Sequence, residues 1–313
     1  MKLVTYANDS GPRAGLLDGD HVYDLQDAAD AFTAQAGAVG AKLPNDVRAL
    51  LDLGDVGLAQ ARRVLGFAQE QGGDAPFAHA ASEVSLLPPI SNPGKIICLA
   101  GNFADHIREG GDEPPEKSQQ TPRYFWKPNS VLVGQDQPVR LWEMSASVDW
   151  ELELAAVIGK SGRDISAADA PSHIAGYTIF NDISSRDMNL PWEREEREMD
   201  DFFDWLNGKW FDTHGPMGPF IATADEIPDP HNLAMSLSVN GIERQRGNTG
   251  QMIFNCFELI EYITRIVTLE PGDVISTGTP AGVGAAAGAS LVDGDSIEAT
   301  IERLGTLRNP VLG

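Results

Sequence analysis

Asp149-Trp150-Glu151-Leu152-Glu153-Leu154-Ala155-Ala156-Val157-Ile158 sets three carboxylates at alternate positions at the head of an apolar run. Successive side chains of a strand point to opposite faces, so Asp149, Glu151 and Glu153 share one face while Trp150, Leu152 and Leu154 take the other. If that face is shielded from water, like charges this close require a raised pKa or a bound cation. A hard divalent ion with oxygen ligands is the usual partner. The same pattern also suits the solvent-facing edge of a half-buried strand, and the segment alone leaves both readings open.

Two neighbouring motifs bear on the choice. Asp182 closes an apolar strand, Tyr177-Thr178-Ile179-Phe180-Asn181, before the polar turn Ile183-Ser184-Ser185-Arg186-Asp187, where it can complete a site begun by an adjacent strand. Asp187 serves equally as a partner for Arg186 or a turn acceptor and is left out. His106 and Glu109 stand three apart after the strand Lys95 to Ala100, a spacing that a helical turn brings together. A carboxylate orients the imidazole and stabilises its charged form, which makes a general base, although most such pairs are surface contacts. The segment from Gly110 to Pro122 is rich in Gly, Pro and polar residues, and reads as a lid over that base or as a plain surface loop.

Outward from this centre, residues 1 to 24 read as short strands around Asn8-Asp9-Ser10-Gly11-Pro12 and Asp18-Gly19, and Leu25 to Gln71 as helix. Leu87-Pro88-Pro89-Ile90-Ser91-Asn92-Pro93-Gly94 marks a boundary between a small α/β N-terminal domain, 1–92, and a catalytic domain, 93–313. The second part reads as strands at Val148–Ile158, Gly176–Phe180, Met235–Val239, Val274–Thr277 and Ser296–Ile301. Its helices are few, the clearest being Phe257–Ile266 with an apolar stripe. An α+β, mainly β class follows, without the βαβ alternation of a nucleotide-binding sheet. Gly278 to Gly284 is a glycine-rich turn, but its spacing does not fit a dinucleotide loop; Thr279 with nearby N–H groups can hold a carboxylate. Lys127 and Lys209 lie among aromatic residues, placed either to attract an anion or to snorkel from an apolar wall.

The net charge of −23 repels nucleic acid and anionic membranes, so neither is expected as a partner, and an anionic substrate requires a local cationic anchor. Cys98 and Cys256 are the only cysteines and show no zinc spacing, and the N-terminus carries no targeting pattern. A reduced, cytoplasmic protein is expected.

Taken in order, Asn102-Phe103-Ala104-Asp105-His106-x-x-Glu109, Phe125-x-Lys127, Asp149-x-Glu151-x-Glu153, Asn181-Asp182-Ile183-Ser184-Ser185-Arg186-Asp187, Lys209-x-Phe211-Asp212, Pro271-Gly272-Asp273 and Thr277-Gly278-Thr279-Pro280-x-Gly282 resemble the fumarylacetoacetate hydrolase family. The resemblance implies the family's β-sandwich roll, a homodimer, and Mg²⁺ or Mn²⁺ (in crystals also Ca²⁺) held by Glu151, Glu153 and Asp182. It implies a His106–Glu109 dyad that activates water, catalysis assisted by Lys209, and substrate contacts from Phe103, Lys127, Asn189 and Thr279. Asn189 and Phe103 replace the Gln and Tyr common in relatives, and Trp192 to Trp205 is unusually long, acidic and aromatic. The expected activity is hydrolysis of the C–C bond of a small anionic diketo acid. Oxaloacetate decarboxylation or oxo-acid isomerisation on the same metal site is the alternative, and a non-catalytic ligand-binding protein the remote one.

Overall fold

The computed structural model describes residues 1–36 and 42–313; the part of the expected 25–71 helical stretch that falls on 37–41 lies outside the described residues. The N-terminal hairpin is present as β1 (Lys2–Asn8), β2 (Gly11–Asp18) and β3 (His21–Asp24). Gly11 opens β2 at φ +112°, a backbone state that residues with a Cβ rarely adopt. Helices α1 (Leu25–Ala36), α2 (Val47–Asp52) and α3 (Gly54–Gln71) follow. Asp46 caps α2 by accepting the Ala49 N–H at 2.8 Å.

After the short strands β4 (Ala78–Ala80) and β5 (Leu86–Leu87) come β6 (Ile96–Ala100), α4 (Ala104–Glu109) and β7 (Arg123–Lys127). The chain continues through β8 (Leu132–Val133), β9 (Val139–Arg140), β10 (Ser145–Asp149), β11 (Leu152–Ile158), β12 (Ile174–Asn181) and β13 (Ser184–Met188). Then come α5 (Asp200–Asn207), β14 (Gly215–Thr223), β15 (Ala234–Val239), β16 (Ile242–Asn248) and α6 (Cys256–Thr264). The last strands are β17 (Val274–Ser276), β18 (Ser296–Ile301) and β19 (Gly305–Leu312).

One large sheet runs β4-β3-β2-β1-β14-β12-β11-β17-β6-β7, so the N-terminal hairpin and the later strands share a continuous ladder through the β1–β14 pairing. A second sheet, β16-β15-β18-β19-β9, packs on one face of it. β11 is buried along its whole length. Leu152, Leu154, Ala156 and Ile158 join the core formed with β15, β18 and β19, while Ala155 and Val157 join the core under α1 to α3. The period-2 alternation is therefore real, but both faces are apolar because both are covered. Truncating a residue such as Leu154 in this layer is expected to cost about 2–5 kcal/mol.

One expectation is corrected, and several elements were not foreseen. The strand drawn over Val148–Ile158 breaks at Trp150–Glu151, because side chains take the backbone donors a ladder would use: Asp149 Oδ1 accepts the Trp150 N–H at 2.8 Å and Asn181 Oδ1 the Glu151 N–H at 2.9 Å. β10 instead forms a separate ribbon with β13. The acidic, aromatic stretch before Lys209 contains helix α5. β14, a buried strand between β1 and β12, was not expected at all, since Gly215-Pro216-Met217-Gly218-Pro219 reads as turn. The helical stretch expected over Leu25–Gln71 is divided into α1, α2 and α3, with 42–46 outside any helix, and β7, β13, β16 and β19 were not among the expected strands. The other expected elements differ by a residue or two at their ends, as for α6, where Asn255 and Glu258 form a capping box.

Candidate metal centre and active site

Glu151, Glu153 and Asp182 each offer a carboxylate oxygen within 4.8 Å of the others, and all three are buried. The β11–β12 ladder produces this convergence. Leu152 pairs with Asn181, so Glu151 and Asp182 leave the ladder side by side, and the Asp182 N–H donates to the Glu151 carbonyl at 2.9 Å. Glu153 lies one pleat further in, on the face shared with Ala155 and Val157. Its Oε2 accepts from Ser276 Oγ at 2.5 Å and from the Gly278 N–H at 2.9 Å, whereas its Oε1 is buried with no hydrogen-bond partner.

Cations surround the cluster. Lys127 Nζ donates to Asp182 Oδ1 at 2.5 Å; Lys209 Nζ donates to Glu151 Oε2 and to Asp182 Oδ2, both at 2.8 Å. Arg186 lies 2.5 Å from Glu151 Oε1 and 2.8 Å from Asp149 Oδ2. Burial pushes the Glu151 pKa up, but Lys209 and Arg186 outweigh it and hold the carboxyl well below its usual range. Glu153 lacks such a partner, so burial, with Asp182 and Glu151 beside it, raises its pKa well above the ordinary value. Burial alone would lower the Lys209 pKa, yet Asp182 and Glu151 raise it, so the ammonium stays charged.

An all-oxygen donor set with an orphaned buried carboxylate oxygen fits a hard divalent cation. Asp149, which was read on the same face, does not join it. Its carboxylate accepts from Arg186, from the Gly284 N–H at 2.6 Å and from the Ala285 N–H at 3.0 Å.

α4 presents the expected pair, His106 Nδ1 lying 2.7 Å from Glu109 Oε1. Glu109 Oε2 accepts the Gly282 N–H at 2.7 Å. With Glu109 ionised, Nδ1 carries the proton and Nε2 is left as the free lone pair. The glycine-rich turn thus binds carboxylates of this chain: Gly278 holds Glu153, Gly282 holds Glu109, and Gly284 holds Asp149. Gly282 has φ +105° and a Cβ there would meet the Arg244 carbonyl oxygen at 2.1 Å, so the approach requires glycine. His106 lines a cavity of about 890 Å³ closed on one side by residues 110–122.

The other sequence candidates fall elsewhere. Phe103 is 2 % exposed, with its ring in the core. Thr279 Oγ1 donates to the Leu152 carbonyl and accepts from the Gln245 amide. Asn189 is exposed and donates to the Glu143 carbonyl at 2.9 Å. Sequence reasoning did not find Ser276, Gly282 or Arg186 as parts of the centre. The only available signal was their place in the same two motifs as Thr279 and Asp182. Cys98 is fully buried and its thiol pKa is pushed up by burial, with Asp182 and Glu153 adding to it, in keeping with a small core residue.

Residues 95–312 match the family described as fumarylacetoacetate (FAA) hydrolase C-terminal. The chain belongs to this family. It is 40% identical over 318 residues to a mitochondrial oxaloacetate tautomerase of Xenopus laevis, covering 100% of this chain and 90% of that protein. The fold superimposes on fumarylacetoacetate hydrolase from the psychrophile Exiguobacterium antarcticum with a TM-score of 0.76, at 31% identity over 100% of this chain and 99% of that one. It also superimposes on maleylpyruvate hydrolase from Sphingobium sp. SYK-6, solved with manganese(II) and pyruvate, with a TM-score of 0.72, at 29% identity over 100% and 99% of the two chains. The chain is therefore a family enzyme of mixed α+β, mainly β fold with a buried acidic metal site.

Proposed function

We propose that the chain catalyses keto–enol tautomerisation of a short 2-oxo acid, with oxaloacetate the first candidate. The observation that carries this reading is the 40% identity, across the whole chain, to an oxaloacetate tautomerase. The site has the parts the reaction needs. Glu151, Glu153 and Asp182 would hold Mg²⁺ or Mn²⁺, which when bound supplies a Lewis acid that polarises the 2-oxo group.

His106 Nε2 takes the proton from the carbon beside the carbonyl; that C–H pair becomes the C=C bond as the C=O π bond opens onto oxygen, and the imidazolium then returns the proton to that oxygen, giving the enol and restoring the neutral base. Glu109 keeps the ring oriented and balances the imidazolium, and Gly282 holds Glu109 in place. Lys209, charged at the site, places positive potential beside the developing enolate. No attacking water is required.

The enol absorbance of oxaloacetate, followed with Mg²⁺ or Mn²⁺ present, tests the proposal. His106→Ala is expected to lower the catalysed rate about 10²–10⁴-fold; wild-type protein that leaves the uncatalysed interconversion unchanged would count against it. Carbon dioxide release would instead mark decarboxylation. The hydrolase expected from the residues is the second reading, supported by the likeness to two hydrolases. There His106 would deprotonate water, and ¹⁸O from solvent would appear in the acid product. Unaltered turnover in His106→Ala would remove His106 as the base, and binding of oxo acids without turnover of any of them by the wild type would favour the non-catalytic reading.

A homodimer belongs to the same proposal, checked by light scattering. So does a cytoplasmic setting, supported by two unpaired buried cysteines, although the Xenopus relative's name places that protein in mitochondria. Among the described residues no helix is long and apolar enough to cross a membrane.

A further inference from the structure

β16 lies at the edge of the second sheet and buries the wrong kind of residue. Ile242 is 57 % exposed, whereas Gln245 is fully buried and is, among the described residues, the only buried glutamine. The β15–β16 register sets Gln245 opposite Leu237 and Glu243 opposite Ser238, so Arg244 is an extra residue at a bulge. A bulge re-aims the side chains beside it. Here the Gln245 amide enters the gap between β11 and the glycine-rich turn.

The partners of that amide explain its burial. The β17 ladder along β11 ends at the Ala155–Ser276 pair, and Leu152, the residue between Glu151 and Glu153, lies beyond it. Gln245 Oε1 accepts the Leu152 N–H at 2.9 Å, and Gln245 Nε2 donates to Thr279 Oγ1 at 2.8 Å. Thr279 Oγ1 in turn donates to the Leu152 carbonyl at 2.9 Å, which closes a circuit on both polar groups of Leu152. The second Nε2 hydrogen goes to the Pro280 carbonyl at 2.8 Å, two residues before Gly282, whose N–H holds Glu109. One acceptor and two donors meet at this point, and a primary amide is the side chain that offers both.

We infer that Gln245 is a positioning residue: it fixes the Leu152 backbone so that Glu151 and Glu153 converge with Asp182, and it ties that convergence to the turn that holds Glu109 and thereby orients His106. It acts through Leu152 and the turn, not on the substrate. With both polar groups of Leu152 held, the directions in which the two flanking glutamates leave the strand are set before a cation arrives. Groups that orient metal ligands in this way commonly govern affinity as strongly as a weak ligand does. The inference rests on the metal centre of the proposed function and is independent of the substrate.

The test uses the full-length protein and Mn²⁺ alone, with affinity read by calorimetry. Gln245→Met, close in volume, is expected to raise the Kd for Mn²⁺ about 10–100-fold. Leu237→Ala, directly opposite on β15 with its side chain in the core, weakens the same pair of strands outside the circuit and should leave the Kd in place. Gln245→Glu, which keeps an acceptor for Leu152, should recover part of the loss. If Gln245→Met does not fold, Thr279→Val removes one link of the circuit and should raise the Kd about tenfold. An unchanged Kd in the variants that fold, or equal losses in Gln245→Met and Leu237→Ala, would overturn the inference.

Failure of the metal reading is seen separately, as wild-type protein that binds no Mn²⁺. The metal-free chain then decides the coupling to His106. ¹⁵N NMR of the imidazole should show the Nδ1–H tautomer in the wild type and in Leu237→Ala, and a mixture of both tautomers in Gln245→Met. The same single tautomer in all three proteins would refute the positioning role.

Discussion

Asp24 and Glu153 are both fully buried carboxylates on strands of one sheet, and they are treated in opposite ways. Asp24 receives the Tyr6 hydroxyl at 2.6 Å, the Asp27 N–H at 2.8 Å and the Arg13 guanidinium through two nitrogens. Burial pushes its pKa up, but the Arg13 hydrogen bonds and the Asp27 amide outweigh this and lower it. Glu153 has hydrogen bonds on one oxygen only, two carboxylates as neighbours and a raised pKa. The first arrangement is complete within the chain and serves the fold. The second is completed by a cation from outside, and this is how a buried acidic site differs from a buried ion pair.

The contrast can be broken most sharply at Arg13. Arg13→Met leaves Asp24 buried without its cation and should cost about 3–5 kcal/mol in urea unfolding, with Mg²⁺ or Mn²⁺ affinity unchanged; a lost metal affinity would show that the two regions are not independent.

Metal at a hundredfold excess over its Kd should stabilise the wild type by about 2.7 kcal/mol, read as a rise in Tm. Glu153→Gln should abolish that rise while still folding, and an equal rise in this variant would remove Glu153 from the ligand set.

A smaller effect is expected at Glu109, since it acts through His106. Glu109→Gln should lower kcat about tenfold or more and leave metal affinity in place, and an unchanged kcat would reduce the dyad to a helix contact.

The pH dependence sharpens the Asp24 side. A carboxyl with a depressed folded pKa contributes stability that is present above its unfolded value, about 3.9, and is lost as pH falls through its folded one. Unfolding midpoints between pH 6 and pH 3 should fall more steeply in the wild type than in Asp24→Asn; parallel slopes would contradict the ion-pair assignment.

Legibility followed the length scale of each signal. The hairpin of β1 to β3, α6 and the apolar half of β11 were readable because their periodicities are local. β14 was not, because its glycines and prolines signal turns when the neighbouring strands are out of view, and its place between β1 and β12 is a property of the sheet. At the site, the acidic triad and the His106–Glu109 spacing stood out in the residues. Phe103 and Thr279 drew attention for the same motif-level reasons, yet their side chains point into the core and into a backbone carbonyl. Motif membership does not specify direction.

The order of residues alone determined the types of groups available: three carboxylates near strands, a histidine with a glutamate one turn away, lysines among aromatics, and a glycine-rich turn. Which carboxylates converge was decided by the tertiary structure. Asp149 shares the alternation of Glu151 and Glu153, but the break at Trp150 rotates it toward Arg186 and the Gly284 amide, while the β11–β12 register brings Asp182 in from thirty residues downstream. Alternation is a one-strand rule, whereas convergence depends on where partner strands supply or withhold hydrogen-bond donors, and only the folded ladder specifies that.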